Sequence, residues 1–240
     1  MDEASPTFRP AGDTGLVVEF GDRVDRAISR RVVALHTRVR AARMPGVIDT
    51  VPTFRSLLIH VDPDATSVED VREAVVPLLE GLEAEQTAPG QWRIPVCYEA
   101  AFAPDLAGVA ERCGLTPSRL VEIHSANAYH VYMIGFLPGL PYMGDLAPEL
   151  VLPRLVEPRL RVPPGSVAIA TTLTTIYPVE SPGGWHLIGR TPVKLFDIER
   201  PAPALLNPGD KVTFTPISSS KFTELEKLVE GGQYELRAGR

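Results

Sequence analysis

The spacing of apolar residues in the first third of the chain predicts a helix between short strands. Leu16 to Phe20 is an apolar run of strand length. After it, the apolar positions lie three or four residues apart, the spacing of one face of an α-helix. These positions are Val24, Ile28, Val32, Leu35 and Val39. The pattern predicts a helix near Asp25 to Arg43.

Two further strands and a second helix follow. Val47 to Val51 and Ser56 to Val61 have the composition of strands. Ser67 with Asp70 matches a capping box, and the residues after it keep helical spacing. Pro77 predicts a kink or an end of this helix, because proline removes a backbone hydrogen bond and clashes with the preceding turn.

The order strand, helix, strand, strand, helix predicts an α+β fold that begins with a small α+β sandwich domain over residues 1–85, with a mixed or antiparallel sheet. The polar stretch Gly81 to Gly90 is the predicted linker.

The second domain is predicted to begin with a strand, Trp92 to Tyr98. Two short helices follow; Thr116 caps the second, which is predicted to run to about His124.

The rest of the second domain alternates strand-like runs with turns rich in proline and glycine. Residues 163–166 and 182–184 are predicted as stiff loops, because proline fixes φ and glycine permits close approaches. The runs predicted as strands include Val167–Ala170, Leu187–Ile188, Val193–Phe196 and Lys211–Phe214. This pattern predicts a closed or nearly closed β-barrel over residues 91–220. Residues 221–240 form a tail with an amphipathic helix from Lys221 to Leu228.

Composition limits the possible partners and compartments. The net charge of −6 and the scattered basic residues argue against nucleic acid and against a membrane surface. The first residues have acids where a signal peptide has basic residues, and no export-type apolar run follows. Cys97 and Cys113 form no CxxC pair, which favours free thiols and a cytoplasmic location over one disulfide.

Arginines at turns are the main candidate chemistry. Arg154, Arg159, Arg161 and Arg190 lie at or beside predicted turns, in a segment that also contains Trp185. Guanidinium groups bind carboxylate or phosphate through two parallel hydrogen bonds. The alternative for each arginine is an ordinary ion pair or a bond to a loop carbonyl.

His124 is the histidine with the best case for a role. Near a helix C-terminus its protonated form would be favoured, which suits proton transfer or anion binding close to neutral pH. A structural capping role is equally compatible with the sequence. His130 and His186 are weaker candidates, predicted to alternate with apolar strand residues and to face solvent.

Other chemistries are not supported. Gly184 to Thr191 has the GxxxxG spacing of a phosphate loop, but a strand is predicted where the helix would begin. The histidines and cysteines lack metal-ligand spacing, so no metal site is predicted. No nucleophile elbow surrounds Ser166, and no Met-Lys biotinylation pair occurs.

Four segments resemble one known family. They are Gly135–Gly139 with Tyr142, the steps Pro153-Arg154 and Pro158-Arg159, the run Val162–Val167, and Ile176–Pro178 continuing through SPGGWHLIGRTP to Asp197. From about Phe8 to Ile217 the chain resembles the family of B-type 5-oxoprolinase subunits. That family is also named allophanate hydrolase subunit 1, carboxyltransferase C/D subunit or sporulation kinase A inhibitor.

The resemblance implies a cyclophilin-like barrel and a subunit of an ATP-dependent 5-oxoprolinase, which converts 5-oxo-L-proline, ATP and water to L-glutamate, ADP and phosphate. C-type and A-type subunits would be its partners, and the chain alone would be inactive. ATP, with or without Mg²⁺, would bind to the assembled complex, and no group would be attached covalently. The alternatives are a carboxyltransferase or allophanate hydrolase subunit of urea metabolism, and an inhibitor of a sensor histidine kinase.

Site roles follow from the arginines and the resemblance together. Catalytic roles are predicted for His124, Arg154, Arg159 and Arg190. Substrate-binding roles are predicted for Tyr142, Ser181, Gly183, Gly184 and Trp185. The apolar loop Phe136–Met143 is expected to line a partner surface or a pocket, or else to fold under the barrel.

Two segments depart from the family pattern. Members of the family usually have a glycine-rich segment after the first strand of the second domain, where this chain has Tyr98–Phe102. They usually have Gly, Gln and Gly before the position of Tyr177, where this chain has Thr171–Thr175. Threonine removes backbone freedom and adds hydroxyl groups. The ligand preference at the threonine segment therefore does not follow from the resemblance.

Overall fold

The computed structural model describes residues 5–82, 89–234 and 236–239. The chain forms two compact units, residues 1–88 and 89–240. Most of the predicted linker, residues 83–88, lies outside the described residues. No helix in the described ranges is both long enough and apolar enough to cross a membrane.

The first unit is an antiparallel sheet with two helices. Its strands are β1 (Thr7–Pro10), β2 (Gly15–Glu19), β3 (Val47–Pro52) and β4 (Ser56–Val61), and its helices are α1 (Arg26–Ala42) and α2 (Val68–Val75). The strand order is β1-β2-β4-β3, and every pair is antiparallel. Strand β1 is not evident from the sequence, because three of its four residues are exposed and no apolar alternation marks it.

The predicted helix ends of this unit are confirmed. The Asp25 carboxylate accepts the backbone N–H groups of Ala27 and Ile28 and thereby caps α1. Ser67 and Asp70 form both bonds of the capping box at α2. Helix α2 gives way to a 3₁₀ turn, Val76–Leu79, with Pro77 in its first turn. The Pro77 ring blocks α-helical bonding here, as expected.

The second unit contains a closed barrel of seven strands, and this confirms the predicted α+β fold class. The strands are β5 (Gln91–Cys97), β6 (Tyr129–Ile134), β7 (Pro141–Gly144), β9 (Ser166–Ala170), β10 (Leu173–Ile176), β12 (His186–Arg190) and β13 (Lys211–Ile217). They close in the order β10-β7-β6-β13-β5-β12-β9. Strands β5 and β13 pair in parallel across their full length, and this pairing joins the start of the barrel to its end.

A two-stranded ribbon and three helices accompany the barrel. The ribbon pairs β8 (Arg159–Val162) with β11 (Ser181–Gly183). The helices are α3 (Leu106–Arg112), α4 (Pro117–Ala126) and α5 (Ser219–Glu230). Helix α5 packs through Phe222, whose ring lies 4.3 Å from that of Phe102. The predicted tail helix therefore belongs to the second unit.

Three local predictions for this unit are wrong. Residues 193–196 form no strand and contribute one isolated bridge, between Phe196 and Ala204. Ser181–Gly183 is a paired strand and not a free loop. Pro141–Gly144 is also a strand, so Tyr142 lies in the barrel wall. Pairing partners distant in sequence decide these cases, and local composition does not reveal them.

Candidate functional site

The segment that contains Arg154 is fixed on both sides by residues next to β11 and β12. The Leu155 N–H donates to the Gly184 carbonyl at 2.8 Å. The Pro153 carbonyl lies 2.9 Å from His186 Nε2, which donates to it. His186 is 2% exposed, so the prediction that it faces solvent is wrong. The backbone of Arg154 is thus held between two tertiary hydrogen bonds.

Aromatic side chains line the barrel wall beside Arg154. The rings of Tyr142 and Trp185 meet edge to face, with centroids 6.0 Å apart. Tyr177 is buried, and the backbone of Trp185 hydrogen-bonds its hydroxyl. Burial raises the pKa of Tyr177, while Arg154 and, more weakly, Arg159 act to lower it. Both guanidinium groups therefore lie close enough to Tyr177 to act on its hydroxyl electrostatically.

Gly183 permits the close packing of this wall. A Cβ at Gly183 would lie 2.4 Å from the Tyr177 hydroxyl oxygen, closer than any real contact. A Cβ at Gly184 would meet its nearest atom, Arg154 Nη2, at an ordinary 3.5 Å. The two predicted glycines therefore differ: Gly183 is required by the packing, and Gly184 tolerates a side chain.

Arg154 itself is available for a ligand. Its side chain is exposed, and it makes no hydrogen bond or ion pair with any residue that the structure describes. Arg159, on β8, is less exposed and pairs with Asp105, with 2.5 Å between Nη2 and Oδ1. Asp105 was not predicted from the sequence, because a single Asp in a short loop before α3 carries no motif.

The ribbon contains two buried side-chain donors, one on each strand. Within the described part of the chain, Arg159 Nη1 and Ser181 Oγ are buried without a hydrogen-bond partner. Ser181 is 6% exposed, and its strand β11 pairs with β8, which contains Arg159. Buried donors are nearly always satisfied in folded proteins, so each of these two groups would be satisfied by an acceptor from outside the chain, either a ligand or an ordered water.

Arg190 lies away from Arg154 and Arg159. It lies at the far end of β12, four residues beyond His186, which is about 13 Å along a strand. Its Nε donates to the Pro164 carbonyl at 2.9 Å, and its guanidinium lies 5.8 Å from the centre of the Phe222 ring. Arg161 also lies outside; its side chain is 82% exposed and faces Glu180 at 3.8 Å.

His124 is a buried residue of the barrel unit. It is fully buried, with Nδ1 2.8 Å from the Tyr98 hydroxyl and Nε2 3.1 Å from Thr174 Oγ1. Its ring stacks on Phe214 at 4.7 Å. Burial lowers the pKa of His124 from 6.5 to about 3. The expectation that its protonated form is favoured is therefore wrong, and its role in proton transfer stays a prediction.

The hydrogen bonds of Thr174 also fix the His124 tautomer. Thr174 Oγ1 donates its proton to the Ala168 carbonyl at 3.0 Å. It must therefore accept from His124, which places the ring proton on Nε2 and leaves Nδ1 to accept from Tyr98.

The threonine segment serves the fold. Thr174 and Thr175 are buried in β10, and Thr175 Oγ1 donates to the Pro141 carbonyl at 2.6 Å. Thr171 occupies the turn before β10 with a φ of 53°, in the left-handed region that favours glycine. Because the hydroxyl groups of Thr174 and Thr175 bond within the barrel, they are not presented to a ligand.

The two cysteines and the apolar loop after β6 differ in how far their side chains are exposed. Cys97 and Cys113 are free thiols, and burial raises the pKa of each. In the loop after β6, Phe136 is 69% exposed with a φ of 68°, whereas Leu140 is buried. Only Phe136 of this pair is therefore available to a partner.

The sequence matches a known family over most of its length. Residues 6–206 match the family described as carboxyltransferase domain, subdomain C and D. A protein from Escherichia coli O157:H7, named as the B-type subunit of 5-oxoprolinase, is 40% identical over 205 residues, covering 85% of this chain and 93% of the relative. The protein of the same name from Bacillus subtilis (strain 168) is 35% identical over 225 residues, covering 88% and 92%.

Solved structures share the fold. The crystal structure of TTHA0988 has a TM-score of 0.78 at 38% identity, over 87% of this chain and 41% of that chain. The K. lactis urea amidolyase has a TM-score of 0.78 at 20% identity, over 100% of this chain and 17% of that one, a likeness of fold alone. This chain thus spans about two fifths or less of each of these longer chains. On the extent of its family match and its identity to full-length relatives, it is a member of the carboxyltransferase subdomain C and D family.

Proposed function

We propose that this chain is the B-type subunit of an ATP-dependent 5-oxoprolinase that acts together with C-type and A-type subunits in the cytoplasm. The relatives named as B-type subunits of 5-oxoprolinase support this assignment, because the alignments cover more than nine tenths of each relative. The free cysteines are consistent with the compartment.

One structural observation carries the proposal: the guanidinium of Arg154 is exposed, has no hydrogen-bond or ion-pair partner among the described residues, and lies beside the wall of Tyr142, Tyr177 and Trp185. An arginine beside an aromatic wall suits a small, flat anion, because the fork binds carboxylate or phosphate and the rings pack against the remainder. 5-Oxoproline has both parts, a carboxylate and a compact lactam ring.

The reaction explains the need for ATP. Amide resonance makes the lactam carbonyl of 5-oxoproline a poor electrophile. Transfer of the γ-phosphoryl group to the lactam oxygen would release ADP and activate the ring carbon. Water would add to that carbon, the ring C–N bond would break to give γ-glutamyl phosphate, and a second water would hydrolyse this acyl phosphate to glutamate and phosphate. Stabilising the transferred phosphoryl group requires positioning and positive charge, which arginines supply.

Arg154 and Arg159 form the proposed anion site, with Tyr142, Ser181, Gly183, Gly184 and Trp185 around it. Catalytic roles for Arg190 and His124 remain separate proposals, since neither lies with Arg154. ATP, with or without Mg²⁺, is proposed to bind to the assembled complex, and the exposed Phe136 is a candidate contact for the C-type subunit.

The test is reconstitution with purified C-type and A-type subunits. ADP release that depends on 5-oxoproline is expected from the mixture and not from this chain alone. Urea and allophanate in the same assay test the urea-metabolism alternative, and turnover with either but not with 5-oxoproline would overturn the proposal. Inhibition of a histidine kinase's autophosphorylation, with no turnover in the mixture, would favour the regulatory alternative.

The site is tested in the same complex. Arg154→Ala is expected to raise the KM for 5-oxoproline by about 10-fold or more, the value of one charge-assisted pair. Arg161→Ala is the matched control, because Arg161 lies on the following strand β8 and its 82% exposed side chain faces Glu180. Equal KM values for the two variants would remove Arg154 from the site.

A further inference from the structure

We infer that Asp105 is a positioning residue of the anion site, which orients Arg159 so that its Nη1 is left to bind the ligand. The inference rests on the proposed function, since the ligand is the anion that Arg154 and Arg159 would bind. Asp105 itself would touch no substrate.

Asp105 connects three elements. Its backbone N–H donates to the Leu187 carbonyl at 3.0 Å, and its Oδ2 accepts the Leu187 N–H at 2.6 Å. Its Oδ1 accepts Arg159 Nη2 at 2.5 Å. The start of α3, strand β12 and strand β8 therefore meet at one carboxylate, which is 17% exposed. Asp105 bonds to β12 once through its backbone N–H and once through its carboxylate, so it is a rigid partner for a long, flexible arginine side chain.

The pairing with Asp105 determines which donors remain. Guanidinium is planar, with its N–H groups in a fixed fork, so fixing Nη2 also fixes the direction of Nη1. Nη1 is buried and has no partner among the residues that the structure describes. Leaving a buried donor unsatisfied is costly, and the cost is removed when an anion accepts from it. Arg159 therefore has one nitrogen for the fold and one for the ligand.

Two further observations concern the surroundings of Arg159. Arg154 and Arg159 both act to lower the pKa of Tyr177, although burial raises it overall, so both cations lie near one hydroxyl. Ser181 Oγ, buried on the strand that pairs with β8, is a second donor without a partner in the described part of the chain. Two guanidiniums thus act on the Tyr177 hydroxyl, Ser181 lies opposite Val162 of the strand that contains Arg159, and the one acid paired with Arg159 in the described ranges is Asp105.

The variant Asp105→Asn separates the two functions of the carboxylate. The Asn oxygen can still accept the Leu187 N–H, which preserves the connection to β12. The opposite atom becomes an NH₂ donor facing Arg159, so the charge-assisted bond is lost. In the reconstituted complex we expect a KM for 5-oxoproline about 10- to 100-fold higher, with kcat within about twofold.

A double-mutant cycle distinguishes positioning from general damage. If Asp105 acts through Arg159, Asp105→Asn has no further effect on KM in an Arg159→Met background. A merely structural role would lower activity by the same factor in both backgrounds. Asp197→Asn is the matched control, because Asp197 also accepts hydrogen bonds from a cationic side chain, Lys194 at 2.9 Å, and from one backbone N–H, that of Glu199 at 3.1 Å, with Arg200 Nε at 4.0 Å. This control is expected to leave KM unchanged.

Binding of inorganic phosphate to this chain alone provides a second readout. The rise in melting temperature with phosphate is expected for the wild type and for Asp197→Asn, and is expected to be lost in Asp105→Asn. Unchanged KM and unchanged phosphate response in Asp105→Asn would overturn the inference. If the wild-type complex fails to use 5-oxoproline but phosphate binding still depends on Asp105, the proposed function fails and the positioning role stands.

Discussion

Acidification is expected to destabilise the barrel unit through His124. The ring is fully buried, and burial lowers its pKa from 6.5 to about 3. Below about pH 6.5 the unfolded chain binds a proton that the folded chain does not bind. Stability due to this group is therefore fully present above the unfolded pKa and is lost as pH falls from about 6.5 towards 3.

The two pKa values give the size of the effect. Between about pH 7.5 and pH 5, they predict a loss of about 2 kcal/mol in the free energy of unfolding. Below about pH 6 the slope approaches about 1.4 kcal/mol for each pH unit, the value for uptake of one proton.

Urea denaturation followed by tryptophan fluorescence measures this loss. Both tryptophans, Trp92 and Trp185, lie in the second unit, so the signal reports that unit alone. In His124→Gln the proton uptake is removed, and the pH-dependent loss is expected to shrink by about 2 kcal/mol. His60→Gln, in the first unit, is the control and should retain the full loss. Equal pH dependence in wild type and His124→Gln would refute the reasoning.

Three further predictions concern the barrel unit. Asp210→Asn should lower the free energy of unfolding of the barrel unit by about 2–3 kcal/mol in the same denaturation assay, because Asp210 Oδ2 accepts hydrogen bonds from Trp92 Nε1 at 2.8 Å and from Asn207 N at 2.9 Å. An unchanged urea midpoint would contradict this prediction. Gly183→Ala should displace Tyr177 and raise the KM for 5-oxoproline in the reconstituted complex at least about 10-fold, whereas Gly184→Ala should leave this KM unchanged. Similar KM values for the two variants would show that the close contact between Gly183 and Tyr177 is unimportant for binding. Arg190→Ala tests the catalytic role predicted for Arg190. Because its partners are the Pro164 carbonyl and the Phe222 ring, we expect the variant to have a lower melting temperature and an unchanged KM for 5-oxoproline. A raised KM would show that Arg190 contributes to the site.

Much of the fold could be predicted from local sequence. The helix start near Asp25, the Ser67 capping box and the Pro77 break are properties of a few consecutive residues, and all appear as expected. Strand β1 and the short strand β11 could not be predicted this way. Their pairing partners define them, and their own side chains show no apolar alternation.

The candidate site was only partly predictable. The sequence shows that the arginines and glycines share a turn-rich segment. It does not show which of the arginines lie close together in the folded chain. Arg154 and Arg159 both lie near Tyr177 because the Arg154 segment bonds to Gly184 beside β11 and because β11 pairs with β8, while Arg190 lies at the other end of β12. Asp105 precedes Arg159 by 54 residues and meets it only through the folded chain.

The sequence by itself determined the order of elements, the family and the residue types able to bind an anion, because these depend on local spacing and on short motifs. The tertiary structure alone decided which of those residues are free to act. Burial made His124 a neutral interior group, and pairing with Asp105 left one nitrogen of Arg159 without a partner among the described residues. Desolvation and hydrogen-bond satisfaction depend on neighbours distant in sequence, and local patterns do not record them.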